Sequence, residues 1–354
     1  MGAPPAVLTA PERTPLRHRP LTLLATLALT LALAGCGDKA ASTGGPVKTQ
    51  RLDLVLDYFP NADHAGIYAA LDRGDFRRAG LEVTPRAPSD PAAPLKLVAA
   101  GRADLAISYE PELLLARDKG VKLVAVGALV QKPLTSIISI GKKAITRPSQ
   151  LDGKTVGTAG IPYQDAYLKT ILEKAGVDPA RVKRVNVGFN LTLAMLSRKV
   201  DATLGAFWNY EGVELQRRHK RPSIIRVENV GVPTYDELVV VAREDYVRSH
   251  GPTVRRFMQA LATGTRAVRA NPEAGTEPLL KANRDLDRGL QLASVKQTLP
   301  VFFPADERRP FGYMDPGQWS TYASWMATND LIKTKGTRAL TNEFLPGEGV
   351  GEGE

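Results

Sequence analysis

Cysteine is almost absent: Cys36 is the single one in 354 residues. One thiol cannot close an internal disulfide, make a redox pair or build a thiolate metal site, so stability must come from burying apolar surface. Histidine is nearly as scarce, at four. His18 lies in the N-terminal stretch, His219 and His250 sit in polar surroundings, and only His64 stands among other informative residues. That inventory supports no metal cluster, and no cofactor site is legible. A GxSxG elbow, a GxxxxGK phosphate loop and a GxGxxG turn are all missing. Carboxylate pairs occur at Glu110 with Glu112 and at Asp236 with Glu237, but such spacing is not by itself an acid–base signature. Catalysis is therefore not the first expectation. Nor does a second long apolar run follow the N-terminal one.

That N-terminal run, PLTLLATLALTLALAGC, follows Arg13, Arg17 and Arg19. Basic residues, an apolar core and small residues in that order make a secretory leader. From Leu21 to Ala34 the apolar stretch is shorter than the ~20 residues a membrane span needs. Leu33-Ala34-Gly35-Cys36 resembles the bacterial lipobox, which implies removal of residues 1–35 and acylation of Cys36. Each buried acyl methylene contributes about 0.8 kcal/mol, so acyl chains alone hold a protein to a bilayer. Residues 36–50 are small, polar and turn-forming, and read as a flexible tether of roughly 20 Å root-mean-square span. The expected location is the cell envelope, outside the cytoplasm and lipid-anchored to the membrane.

The formal charge of +10 falls to +8 without the leader, whose residues include three Arg and one Glu. A basic balance can signal nucleic acid, but the positive residues are scattered and an envelope protein does not meet it. The densest run, RRHKR at 217–221, reads as a solvated helix end. No nucleic-acid partner is expected, and a monomer is.

From Arg51 short apolar runs alternate with amphipathic stretches: LDLVLDYF, then HAGIYAALDRGDFRRAG, LEVTPRAP, a helix over 92–100, ADLAIS, PELLLARDKG and KLVAVGALV. Strands separated by helices imply an α/β fold with parallel pairing. After TSIISIG at 135–141 the same grammar restarts with LDGKTVGTAG. LVAAGRADLAIS (97–108) and AMLSRKVDATLG (194–205) form a short internal repeat that makes Asp104 and Asp201 equivalent turn residues at strand starts. The expectation is a two-lobed protein with a mixed, helix-flanked sheet in each lobe and a two-stranded hinge. Lobe 1 is assigned residues 51–140 and 241–345, lobe 2 residues 141–240, and 346–354 a disordered tail.

Polar and aromatic residues concentrate where strands meet helices, at the edge that faces the ligand crevice in open α/β sheets. The candidate binding residues are Asp57, Tyr58, Phe59, Asn61, His64, Tyr109, Glu110, Tyr163, Trp208, Asn209, Tyr210 and Glu211. Aromatics stack on a flat ring, and carboxylates or amides accept from its amino groups, with Glu110 or Glu211 expected to pair with an exocyclic amine. Phe302, Phe303, Trp319 and Trp325 are read as packing residues.

LDYFPNADHAGIYAALDRGDFRRAGLEV, VAAGRADLAISYEPELLLARDKG, GTAGIPYQDAYLKTILEKAGVD and VDATLGAFWNYEGVEL resemble the NMT1/THI5-like solute-binding proteins of ABC importers. The resemblance implies a type II periplasmic-binding-protein fold, a thiamine pyrimidine precursor as ligand (a formyl- or hydroxymethyl-aminopyrimidine), and a permease with its ATPase as partners. The alternatives are import of riboflavin or another flat heterocycle, an exported enzyme, or a sensor. The family also holds pyrimidine-precursor synthases that use pyridoxal phosphate on a lysine, a histidine four residues later and a cysteine-rich iron motif. Ser108 stands at the lysine position and Glu112 at the histidine position, and no cysteine besides Cys36 exists. The resemblance therefore implies binding without catalysis.

Overall fold

The computed structural model describes residues 49–142, 144–333 and 339–347. The leader, Cys36, most of the tether and the end of the tail lie outside the described residues.

Continuous apolar runs become fully buried strands. LVAVGALV forms β4 (Leu123–Val130) with every residue buried, as expected of a sheet covered on both faces. The first sheet is completed by β1 (Gln50–Val55), β2 (Leu81–Arg86), β3 (Leu105–Ser108) and β10 (Leu238–Arg243), in the order β2-β1-β3-β10-β4. The second contains β5 (Thr135–Ser139), β6 (Thr155–Thr158), β7 (Lys183–Asn186), β8 (Ala202–Phe207) and β9 (Ser223–Arg226), in the order β7-β6-β8-β5-β9. Each sheet has three parallel strands followed by one reversed strand in fourth place, β10 or β5, which pairs antiparallel with both neighbours. The two sheets thus share one plan.

Sheet pairing moves the lobe boundaries expected at 140 and 240. β5 pairs only within the second sheet and β10 only within the first, so the chain crosses between sheets at 131–134 and 227–237. An apolar run looks alike on either side of a crossing; its hydrogen-bond partners decide where it belongs.

The helices of the first half are α1 (Ala65–Asp72), α2 (Asp75–Arg78), α3 (Pro94–Ala99) and α4 (Glu110–Asp118). The second sheet carries α5 (Pro162–Lys174), α6 (Leu191–Leu196) and α7 (Glu211–Arg217). After β10 come α8 (Glu244–Ala270), α9 (Pro272–Ala282), α10 (Arg288–Thr298) and α11 (Pro316–Thr328). None of the helices among the described residues is long and apolar enough to cross a membrane. α1 and α8 touch at small residues: a Cβ on Gly66 would overlap Thr265, and one on Gly264 would overlap the Gly66 carbonyl. That close approach fixes the start of α1 beside the interlobe cleft.

The internal repeat has a shared structural cause. Asp104 accepts from the Asp53 N–H through Oδ2 at 2.9 Å, and Asp201 accepts from the Thr155 N–H in the same way at 2.8 Å. Each aspartate thereby ties the strand that follows it to the strand beside it, to the middle of β1 in one sheet and to the first residue of β6 in the other.

Candidate functional site

The carboxyl ends of β1, β3, β6 and β8 open onto a narrow cavity between the lobes. The first lobe lines it with Asp57, Tyr58, Asn61 and Tyr109, the second with Ala159, Ile161, Tyr163, Gln164, Leu191, Gly205, Phe207, Tyr210 and Glu211. Seven of the twelve candidates read from sequence meet there, and among the described residues no Lys, Arg or His lines the cavity.

Asp57 is held rigidly. Asn61 caps the turn before α1, its Oδ1 accepting from the Asp63 N–H and its own N–H donating to His64 Nδ1. An acceptor Nδ1 carries no proton, so the ring proton sits on Nε2, which donates to Asp57 Oδ1 at 2.8 Å. Tyr109 donates its hydroxyl to Asp57 Oδ2, also at 2.8 Å. His64, completely buried, therefore orients Asp57 and stands outside the lining.

Aromatic rings from both lobes close the walls. Tyr58 meets Phe189 edge-on with centroids 4.6 Å apart, and Phe59 lies 5.9 Å from Tyr210. Tyr109 and Tyr163 pair across the cleft at 5.4 Å. Edge-to-face and tilted pairs at these spacings are favourable beyond the area they bury. Tyr58 lines the cavity, and its hydroxyl has no hydrogen-bond partner among the described residues. Burial pushes that phenol far up, helped by Glu211 and Asp57, so it stays a donor available to a ligand.

Glu211 opens α7, its Oε2 accepting from the Phe207 N–H at 2.7 Å. Burial pushes its carboxyl up to about 8, against the pull of backbone hydrogen bonds. Near neutrality it can present a proton, or lose it when a ligand cation or amine arrives. Gln164 is fixed beside it through Oε1, which accepts from the Ala159 N–H at 2.8 Å. Gly205, at φ +105°, leaves room for that amide, which a Cβ would overlap.

Four candidates besides His64 also lie outside the lining. Phe59 packs behind Tyr58. Glu110 was expected as a ligand acceptor, but it is fully buried and its Oε2 accepts from the Asp236 N–H at 2.7 Å in the second crossover. Trp208 donates to the Pro133 carbonyl at 3.0 Å in the first crossover, with Arg226 over its ring. Asn209 reaches across to Asp63 and Thr298 of the first lobe. Each follows a strand's carboxyl end as the cavity residues do, but its side chain leaves the helix or turn on another side. Sequence reading omitted Phe189, Leu191 and Gln164, for which the one available signal was the lone aromatic in VGFN after β7, and it left Phe207 out of the candidates although that residue heads the FWNYE cluster.

Many carboxyls here are buried. Burial pushes Glu112, Asp236 and Glu237 up to about 7 and Asp63 up to about 6, alongside Glu211 at about 8. An acid raised in this way binds its proton more tightly in the folded chain than in the unfolded one. Its stabilising contribution is present below the ordinary carboxyl range and is lost as pH rises through the folded value. The ligand-free protein is thus expected to melt at a lower temperature at about pH 8.5 than at about pH 5.5. Melting followed by circular dichroism across that range checks it, and a flat or rising profile contradicts it.

Among the described residues, no three His, Cys, Asp or Glu side chains are placed to hold a metal ion. The family described as NMT1/THI5 like matches residues 61–275. The formylaminopyrimidine-binding protein of Halalkalibacterium halodurans is 32% identical over 313 residues, covering 88% of this chain and 94% of that protein. A 4-amino-5-hydroxymethyl-2-methylpyrimidine phosphate synthase of Legionella pneumophila is 25% identical over 71% of this chain and 80% of its own length. Among solved structures, the alkanesulfonate-binding protein of Xanthomonas axonopodis pv. citri aligns with TM-score 0.61 and 18% identity over 83% of this chain and 97% of that one. That likeness gives the fold, a type II periplasmic-binding-protein fold with two mixed sheets. On the sequence matches, the chain belongs to the NMT1/THI5-like family.

Proposed function

We propose that this protein is the extracytoplasmic solute-binding component of an ABC importer, taking up an unphosphorylated aminopyrimidine precursor of thiamine and handing it to a permease. The observation that carries this reading is the cavity lining: aromatic rings from both lobes, two carboxyl groups, two amides and no basic residue. An aminopyrimidine has a flat face for the rings and an exocyclic amine plus a basic ring nitrogen for the acids. The formylaminopyrimidine-binding relative supports the same choice.

Binding without turnover is part of the reading. Ser108 and Glu112 stand where the synthases of the family carry their lysine and histidine, and here they bond to each other, Oγ to Oε2 at 2.9 Å. No lysine lines the cavity to hold an aldehyde cofactor. The leader and an acylated Cys36 would keep the body at the outer face of a membrane, where a permease is met.

Native mass spectrometry and calorimetric titration with formylaminopyrimidine, 4-amino-5-hydroxymethyl-2-methylpyrimidine, thiamine and riboflavin test the proposal. Tight one-to-one binding of an aminopyrimidine that is recovered unchanged is expected. Flavin binding, or conversion of the ligand, would replace the reading. Within it, Glu211→Gln is expected to weaken aminopyrimidine binding roughly five- to a hundredfold, because the one remaining oxygen is held by the Phe207 N–H and the amide then turns a donor toward the ligand's amine. Glu110→Gln should leave the affinity unchanged, since Glu110 faces Asp236 and not the cavity.

A further inference from the structure

Asn209 sits between two cavity residues in sequence, Trp208 aside, yet its side chain turns away from the cavity. It belongs to the second lobe, directly after β8. Its Nδ2 donates to Asp63 Oδ1 and to Thr298 Oγ1, both at 2.7 Å and both in the first lobe. All three side chains are essentially inaccessible, at 0%, 1% and 0% exposure. The neighbouring Tyr210 hydroxyl accepts from Gln291 Nε2 at 3.1 Å, again across the lobes. Beneath these bonds Tyr210 and Val213 pack on Ala62, Ala65, Val268 and Val295 in an apolar cluster separate from the main core. The two lobes are thus tied at a second place, distinct from the crossovers.

We propose that Asn209, with Asp63 and Thr298, is a latch that holds the cleft shut, and that it sets how long the ligand stays without touching it. Asp63 lies in the turn capped by Asn61, and Asn209 precedes Tyr210 and Glu211, so the latch closes only when both halves of the cavity lining come together. Opening hands each of its polar groups to water, so the bonds are exchanged rather than lost, and the tie is reversible. A rigid structural bond would need no such access. The role of the latch in ligand retention rests on the binding function proposed above; its role in closure does not.

Two variants test the latch, Asn209→Ala and Thr298→Val, each made in the full chain. Hydrogen–deuterium exchange of the ligand-free protein should speed up in 62–69, 209–215 and 290–298, with the strands of both sheets unchanged. Stopped-flow measurement with 4-amino-5-hydroxymethyl-2-methylpyrimidine should show dissociation faster by roughly five- to fiftyfold, with association little altered. The double variant should add little to either single one, because both remove the same tie. Unchanged ligand-free exchange with weakened binding would make Asn209 a ligand contact and overturn the proposal. Faster exchange throughout both sheets would make it a general structural bond and overturn it equally. Should the wild type bind no pyrimidine, the exchange experiment still decides closure, so the two readings fail separately.

Discussion

Replacing Glu237 with alanine is expected to lower the free energy of unfolding by about 3–5 kcal/mol, a loss reserved for a few buried polar positions. Glu237 lies in the second crossover and is completely buried. Its Oε2 accepts from the N–H groups of Leu134, at the end of the first crossover, and Thr135, the first residue of β5, at 2.6 and 2.8 Å, and from the Tyr235 hydroxyl at 2.9 Å. Its Oε1 accepts from Thr135 Oγ1 at 2.9 Å. One carboxyl group therefore joins the two segments that connect the lobes. Alanine would strand two main-chain donors that cannot turn to another partner, at about 1–3 kcal/mol each. Glutamine retains one acceptor oxygen for those donors and should cost clearly less. Urea unfolding of both variants measures the difference; a loss below about 1 kcal/mol for alanine would mean that the crossovers rearrange freely and that Glu237 does not pin them.

The second large effect concerns ligand charge. A 5-phosphomethyl ester of the aminopyrimidine is expected to bind at least a hundredfold more weakly than the free alcohol. Asp57 and Glu211 line the cavity and no cation does. At an effective dielectric constant of about 20, a phosphate dianion about 5 Å from one carboxylate is repelled by roughly 7 kcal/mol. Protonation of Glu211, raised to about 8 by burial, relieves part of this but leaves Asp57 in place. The cavity offers no guanidinium or ammonium to replace the water that the phosphate must shed. Competition calorimetry with the two compounds at one pH reads the ratio directly, and comparable affinities would mean that the ring sits with its substituent outside the acidic lining.

Much of this arrangement is legible in sequence, for identifiable reasons. Alternating apolar runs and amphipathic helices reveal the order of elements because each strand is covered on both faces and each helix on one. The residues following β1, β3, β6 and β8 stand out because polar and aromatic clusters are unusual at the end of an apolar run. Which of them face the ligand depends on tertiary direction. Glu110 and Glu211 both follow a strand and open a helix, α4 and α7. The difference lies in the Asp236 N–H, which draws the Glu110 carboxylate toward the hinge from a position 126 residues away. His64 is equally ambiguous until the Asn61 N–H occupies Nδ1 and Asp57 takes Nε2. Phe189 stands alone in its loop and gains meaning from Tyr58 and Phe59 of the other lobe.

The fourth place in each sheet also governs the order in which the chain can fold. The second sheet is built from a continuous stretch, since β5 to β9 run from 135 to 226, and every partner is at hand once that stretch is complete. The first sheet is not. β10 lies between β3 and β4, which pair with it and not with each other, so both strands wait for residues more than a hundred positions later. Contacts of such long sequence separation form slowly. Meanwhile β3 and β4, apolar but for Ser108, offer unpaired edges, the kind that join with strands of other molecules. The lobe that the chain begins is the lobe it finishes last, and arrival of β10 turns two partial sheets into one cooperative body.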